Sequence, residues 1–288
     1  DIEVEATLTI EPGVIVKFTP CSGNKVGYYN PGVLAADGTA DSVIVFTSNV
    51  SPAGPGNWDG IAFYSNTIDA ATVLNHCLVE YGGGNDYGNI HCYEASPTIK
   101  NCTIRHSSTY GVYSDEDGFT EFSGNTITSN SEYPVRIDGE DVRTLGLNTL
   151  TGNTKDGIEV GSGSISISGE WLNQGVPYII TDDLEIGGTA NPVLTIAPGN
   201  TLEFRADVGI EVGYYAPGAL VADGNAGQIT FTTSISPPAP GNWHGIAFYS
   251  NTIDAATVLN HCLVEYGGGN DYGNIHCYEA SPTIKNCT

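Results

Sequence analysis

Seven cysteines, Cys21, Cys77, Cys92, Cys102, Cys262, Cys277 and Cys287, are the most reactive side chains of this sequence. No two stand in a CxxC pair, so thioredoxin-like redox chemistry and zinc-ribbon binding have no motif to rest on. The doublets His76-Cys77 and His91-Cys92 combine imidazole with thiolate, a donor set suited to zinc or copper. Neighbouring residues of a strand point to opposite faces, however, so a doublet does not readily bring both donors to one ion. The expected arrangement is histidine outside and cysteine inside. Two acidic turns, Ser114-Asp115-Glu116-Asp117-Gly118 and Ile137-Asp138-Gly139-Glu140-Asp141, offer hard oxygen ligands instead. Asp115, Asp117, Asp138 and Glu140 are the candidate Ca²⁺ ligands, against the alternative of a solvated acidic turn, and Ca²⁺ is the one cofactor considered. The nine basic residues form no constellation for acid–base or nucleophilic catalysis, and no catalytic residue is assigned. Trp58 and Tyr64, with Trp243 and Tyr249 further along, could stack on a neutral glycan, or could equally cap a core. Asn49, Asn101 and Asn286 stand in Asn-x-Ser/Thr sequons, the last two expected in strands and outward-facing.

Composition limits what could position these groups. The 288 residues include 37 glycines and 15 prolines but only 15% charged residues, which disfavours helix-rich and coiled-coil readings. Acidic residues outnumber basic ones 33 to 9, a formal charge of −24 that repels phosphate backbones and anionic lipid. Nucleic acid is therefore not an expected partner, and no apolar run is long enough for membrane insertion of this segment. With no methionine, even at position 1, the chain reads as a mature or excised piece.

Repetition dominates the chain. Residues 61–103 recur unchanged as residues 246–288; LTIEPGVIVKF (8–18) matches LTIAPGNTLEF (194–204), and VGYYNPGVLAADG (26–38) matches VGYYAPGALVADG (212–224). Two units follow, 1–182 and a shorter 183–288, expected to form one continuous solenoid. A shorter period lies inside. VLNHCLVEY (73–81), TIKNCTIRH (98–106), FSGNTITSN (122–130) and LGLNTLTGN (145–153) align Cys77, Cys102, Asn125 and Asn148 at spacings of 25, 23 and 23 residues. Ile90, Val112, Val135 and Ile158 open companion alternating pieces 22, 23 and 23 residues apart. Short alternating pieces returning every twenty-odd residues, split by Gly, Asn and Asp, predict an all-β solenoid that adds one layer per turn.

On these motifs, together with GVLAADGTADSVIVFTSN, the NWDGIAFY step and the ASPTIKNCTI step, the chain resembles the right-handed parallel β-helix (β-solenoid) repeat proteins of secreted and cell-surface type. The resemblance implies coils of about 22–25 residues and an internal asparagine ladder at position 77 and its equivalents, from which this chain departs with cysteine at two steps. Ile90 and Cys92, Val112 and Ser114, Val135 and Ile137, and Ile158 and Val160 should point inward. Stacked coils place Cys77 beside Cys102 and Cys262 beside Cys287, close enough for disulfides, or else for buried thiols serving as small apolar residues. Cys92 and Cys277 should be inward and inert, and Cys21 is left over as a candidate intermolecular disulfide. The chain stops at Asn286-Cys287-Thr288, whose twin at 101–103 continues in mid-coil, so further copies are expected.

The functional expectation is a secreted, acidic structural protein that builds a cell-surface layer (S-layer), sheath or filament by end-to-end and lateral self-association. An adhesin that binds cell-surface glycans is the first alternative, and a polysaccharide lyase or hydrolase the second. Exact duplication suits an array that gains length better than an active site requiring one specialised groove.

Overall fold

The computed structural model describes residues 1–288. Its strands are three to five residues long almost throughout because the alternating pieces are, and a bend follows each. In β13 (Val112–Asp115), Val112 and Ser114 are buried while Tyr113 and Asp115 are half-exposed. The inward column Ile90, Cys92, Val112, Ser114, Val135, Ile137, Ile158 and Val160 is fully buried, as the alternation predicts. Burying each aliphatic member contributes about 1.5–3 kcal/mol.

The chain divides into two compact units, residues 1–137 with 144–158, and residues 138–143 with 159–288. In the first unit, one parallel sheet orders β1 (Ile2–Val4), β4 (Gly23–Val26), β7 (Gly60–Phe63), β10 (Ile90–Tyr93), β13 and β16 (Val135–Ile137). A second orders β2 (Thr7–Ile10), β5 (Val33–Asp37), β8 (Val73–Asn75), β11 (Thr98–Lys100) and β14 (Glu121–Ser123). The third orders β3 (Ile15–Phe18), β6 (Ile44–Ser48), β9 (Cys77–Glu80), β12 (Thr103–Arg105) and β15 (Thr126–Thr128). Every third strand along the chain is thus a neighbour in space, the topology of a parallel β-helix. The chain leaves the first unit in β17 (Ile158–Val160).

The second unit repeats the plan. Its sheets run β18 (Ser164–Ile165), β21 (Leu184–Ile186), β24 (Gly209–Val212), β27 (Gly245–Phe248), β30 (Ile275–Cys277); then β19 (Gly169–Trp171), β22 (Val193–Ile196), β25 (Ala219–Asp223), β28 (Val258–Asn260), β31 (Thr283–Lys285); then β20 (Tyr178–Ile180), β23 (Thr201–Phe204), β26 (Ile229–Thr233), β29 (Cys262–Val264).

Coil length departs from the expected 22–25 residues where loops are inserted. Register partners Ile90 and Val112 are 22 residues apart, and Val112 and Val135 are 23 apart. Asn24 and Ile61 are 37 apart, because residues 49–58 make an excursion outside the strands. The corners are made by single residues in the left-handed region: His76 (φ 47°), Asn101 (φ 52°) and Gly124 (φ 66°) each stand just before the ladder position. Only glycine takes that conformation freely, with asparagine next best. The corner also corrects the sequon placement. Asn101 and Asn286 lie after β11 and β31, not within strands, though both are exposed.

Candidate functional site

Two arrangements bear on function, an interior ladder and an exterior aromatic face, both in the first unit. In the ladder, Cys77 N donates to Cys102 Sγ (3.4 Å), Cys102 N to Asn125 Oδ1 (3.0 Å), and Asn125 N to Asn148 Oδ1 (3.0 Å). Asn125 Nδ2 also donates to Ile99 O and to Asn148 Oδ1, both at 3.0 Å. Cys77 and Cys102 thus occupy touching coils, as expected, but as free thiols. Each thiol imitates the amide it replaces, its sulfur accepting from the chain or donating to a carbonyl, as Cys102 Sγ does toward Leu74 O at 3.4 Å. Cys262 and Cys287 are likewise free, and at Cys77 and Cys102 a ladder bond stands where a disulfide was expected. The neighbouring Cys102 thiol and burial push the Cys77 thiol well above its ordinary pKa, and burial pushes Cys262 up to about 12.

A second ladder went unread in the sequence. Ser107 N donates to Asn130 Oδ1 (3.0 Å), and Asn130 N to Asn153 Oδ1 (3.1 Å). Its signal was present, since Asn130 and Asn153 share the 23-residue spacing within the aligned segments. An outer chain of amides joins Asn101 Nδ2 to Asn75 Oδ1 (2.9 Å) and Asn75 Nδ2 to Asp37 Oδ1 (2.8 Å). The sequon nitrogen of Asn101 is therefore engaged; Asn286 makes the equivalent bond to Asn260 (2.9 Å), and Asn49 is exposed. Cys92 is buried as expected, whereas Cys277 is exposed on β30, the last strand of its sheet. Cys21 is exposed and free in a left-handed turn (φ 58°).

On the outside, Lys25, Ala62, His91, Tyr113 and Arg136 stand in register across β4, β7, β10, β13 and β16. His91 lies face to face with Tyr87 (centroids 4.1 Å, 2°) and edge-on to Tyr113 (5.7 Å). Its ring nitrogens are buried without a hydrogen bond, Nε2 being 3.6 Å from Asp115 Oδ2. An open cleft of about 240 Å³ beside it is lined by Lys25, Asp59, Gly60, Ala62, Tyr64 and Tyr87, among others. Tyr28 and Tyr29 extend the rings outward, Tyr28 meeting Tyr64 at 4.7 Å.

The two tryptophans proposed for glycan stacking take no part. Trp58 and Trp243 are fully buried, stacked on Phe18 (4.3 Å) and Phe204 (4.2 Å). Each indole donates inward, to Glu80 O (2.9 Å) and Glu265 O (2.8 Å). Tyr64 and Tyr249 remain half-exposed. The calcium assignment is also corrected, since no group of three or more His, Cys, Asp or Glu side chains is arranged to hold a metal ion. Asp115 is taken by the Arg136 guanidinium (2.8 Å), Glu140 accepts from Ser166 Oγ (2.9 Å), and Asp117 is exposed. Asp138 belongs with Glu140 to the second unit, while Asp115 and Asp117 belong to the first. Four further cations are committed in the same manner, Lys25 to Asp1, Lys100 to Glu121, Arg105 to Glu80 and Arg205 to Glu159.

These observations define a class: a parallel β-helix repeat protein whose coils are tied by side-chain ladders. The family model for the right handed beta helix region matches residues 88–170, which contain the two ladders' middle steps and the 22–23-residue coils. The chain is a right-handed parallel β-helix. No curated protein and no solved structure matches it.

Proposed function

We propose that the chain is an extracellular structural protein, one stretch of a tandem β-helix that builds a surface layer, sheath or filament. The observation that carries this reading is the reuse of one solution in both units. The unchanged 43-residue block forms β7 to β11 in one unit and β27 to β31 in the other. The tryptophan three residues ahead of the block, Trp58 or Trp243, meets the same partners to within 0.1 Å, 4.3 and 4.2 Å to phenylalanine and 2.9 and 2.8 Å to a glutamate carbonyl. A module that reproduces its own contacts adds length at constant stability per coil, because each coil answers only to its neighbours. A net charge of −24 with only nine lysines and arginines also suits exposure outside a cell, where few trypsin-type cleavage sites are offered. Electron microscopy of the native material tests the proposal: regular filaments or a lattice are expected, and dispersed particles with no end-to-end or lateral contact would overturn it.

The exposed rings of Tyr28, Tyr29, Tyr87 and Tyr93 favour a second reading, a carbohydrate-binding surface. Binding to a neutral-glycan panel, lost in Tyr29→Ala and Tyr87→Ala, would support it.

A further inference from the structure

The two units differ where their aromatic faces meet charge. In the first unit, the Lys25 ammonium lies 5.6 Å from the centre of the Tyr28 ring and 2.7 Å from Asp1 Oδ2. It also stands directly opposite Glu3 in the β1–β4 register. An ammonium held against an aromatic face and a carboxylate is a favourable arrangement, because the ring quadrupole and the anion attract the same charge. The second unit rebuilds this shell. Asp183, Glu185, Tyr214, Tyr215 and Tyr249 take the places of Asp1, Glu3, Tyr28, Tyr29 and Tyr64. Tyr214 meets Tyr215 at 4.4 Å (66°) and Tyr249 at 4.6 Å (60°), against 4.3 Å (67°) and 4.7 Å (65°) in the first unit. Asp183 Oδ1 accepts Gly209 N (2.7 Å) just as Asp1 Oδ1 accepts Gly23 N (3.0 Å).

The cation itself is missing from the second shell, because Lys25 is replaced by Glu211. Glu211 stands directly opposite Glu185 across β21 and β24, a like-charge pair of the kind that destabilises a sheet. Tyr249 Oη donates to Glu211 Oε1 at 3.4 Å, and the nearest basic group to Asp183 is His244 Nδ1, 3.8 Å from Oδ1. Asp183 Oδ2, whose counterpart carries the lysine, has no ion pair. Burial, then Asp183 and Glu185, hold the Glu211 carboxyl above the usual range. No chelating trio is present, so a desolvated metal ion does not fit.

We propose that the face formed by Asp183, Glu185, Glu211, Tyr214 and Tyr249 binds an exogenous primary alkylammonium group, in the place that Lys25 fills internally in the first unit. Both a lysine side chain of another protein and an amino sugar carry that chemistry. The inference does not depend on whether the protein builds a surface layer.

The test uses the full 288-residue chain, with the tyrosine ring resonances followed by NMR during titration with n-butylammonium chloride or glucosamine at constant ionic strength. Saturable shifts at Tyr214 and Tyr249, absent with N-acetylglucosamine, are expected. Glucosamine binding more tightly than n-butylammonium would point to an amino sugar, and the reverse order to a lysine side chain. Glu211→Lys supplies the internal ammonium of the first unit and should abolish the shifts. Lys25→Glu should open a second site at Tyr28 and Tyr64, raising the stoichiometry from one to two. Equal shifts with sodium chloride, retention of binding in Glu211→Lys, or no second site in Lys25→Glu in a chain with wild-type amide spectra elsewhere would overturn the proposal.

Discussion

Replacing Asn125 with alanine tests the ladder as a source of stability. Asn125 is 1% exposed, and its side chain accepts from Cys102 N and donates to Ile99 O and Asn148 Oδ1, each at 3.0 Å. Alanine strands the Cys102 amide and the Ile99 carbonyl in a site too enclosed for solvent to replace the partner. A buried polar group left unsatisfied costs about 1–3 kcal/mol, so the two together should cost about 2–6 kcal/mol. Cysteine already performs this task one coil away, where Cys102 Sγ accepts Cys77 N at 3.4 Å. Asn125→Cys should therefore cost less, about 1–2 kcal/mol, since a thiol retains a weak acceptor and donor. Urea unfolding of the three proteins, with amide exchange at Cys102, reads both effects. The Cys102 amide should lose protection in Asn125→Ala and keep part of it in Asn125→Cys. Stability of Asn125→Ala within about 0.5 kcal/mol of wild type, the range of an ordinary surface change, would refute the argument.

Trp58→Ala and Trp243→Ala should each cost about 3–5 kcal/mol by calorimetry or urea unfolding, through the cavity left against Phe18 or Phe204, without altering any glycan binding. Glu203 is half-buried, and desolvation raises its pKa above 4.5. Its folded pKa lies above its unfolded one, so the folded state binds the proton more tightly and stability falls as pH rises through the window just above 4.5. Glu203→Gln should flatten that part of the stability profile and be more stable than wild type at pH 7, with little difference at pH 3. In a thiol-reagent assay on the folded protein, Cys21 and Cys277 should react promptly, while Cys77, Cys92, Cys102 and Cys262 should wait for unfolding. Prompt reaction of all seven would contradict the buried thiol column.

The spacing of Ile90, Val112, Val135 and Ile158, by itself, determined which residues enter the core and which strands stack, because a solenoid writes its cross-section directly into its period. The inward Cys77–Asn148 column was legible for the same reason, and so, in principle, was Asn130 above Asn153. What the period does not contain is the path of the excursions between strands. The 49–58 excursion returns Trp58 onto Phe18, forty residues back, and turns an apparent surface aromatic into core. The pairing of Asp115 with Arg136 depended on the register of β13 against β16, which removed a carboxylate from the calcium assignment. Whether Cys77 and Cys102 bond to each other or to the backbone was likewise decided by where the surrounding amides and carbonyls lie. Periodic burial is a short-range property of the chain, repeated at every coil. Loop paths and side-chain partners are settled by contacts between residues far apart in sequence, and only the folded molecule brings those together.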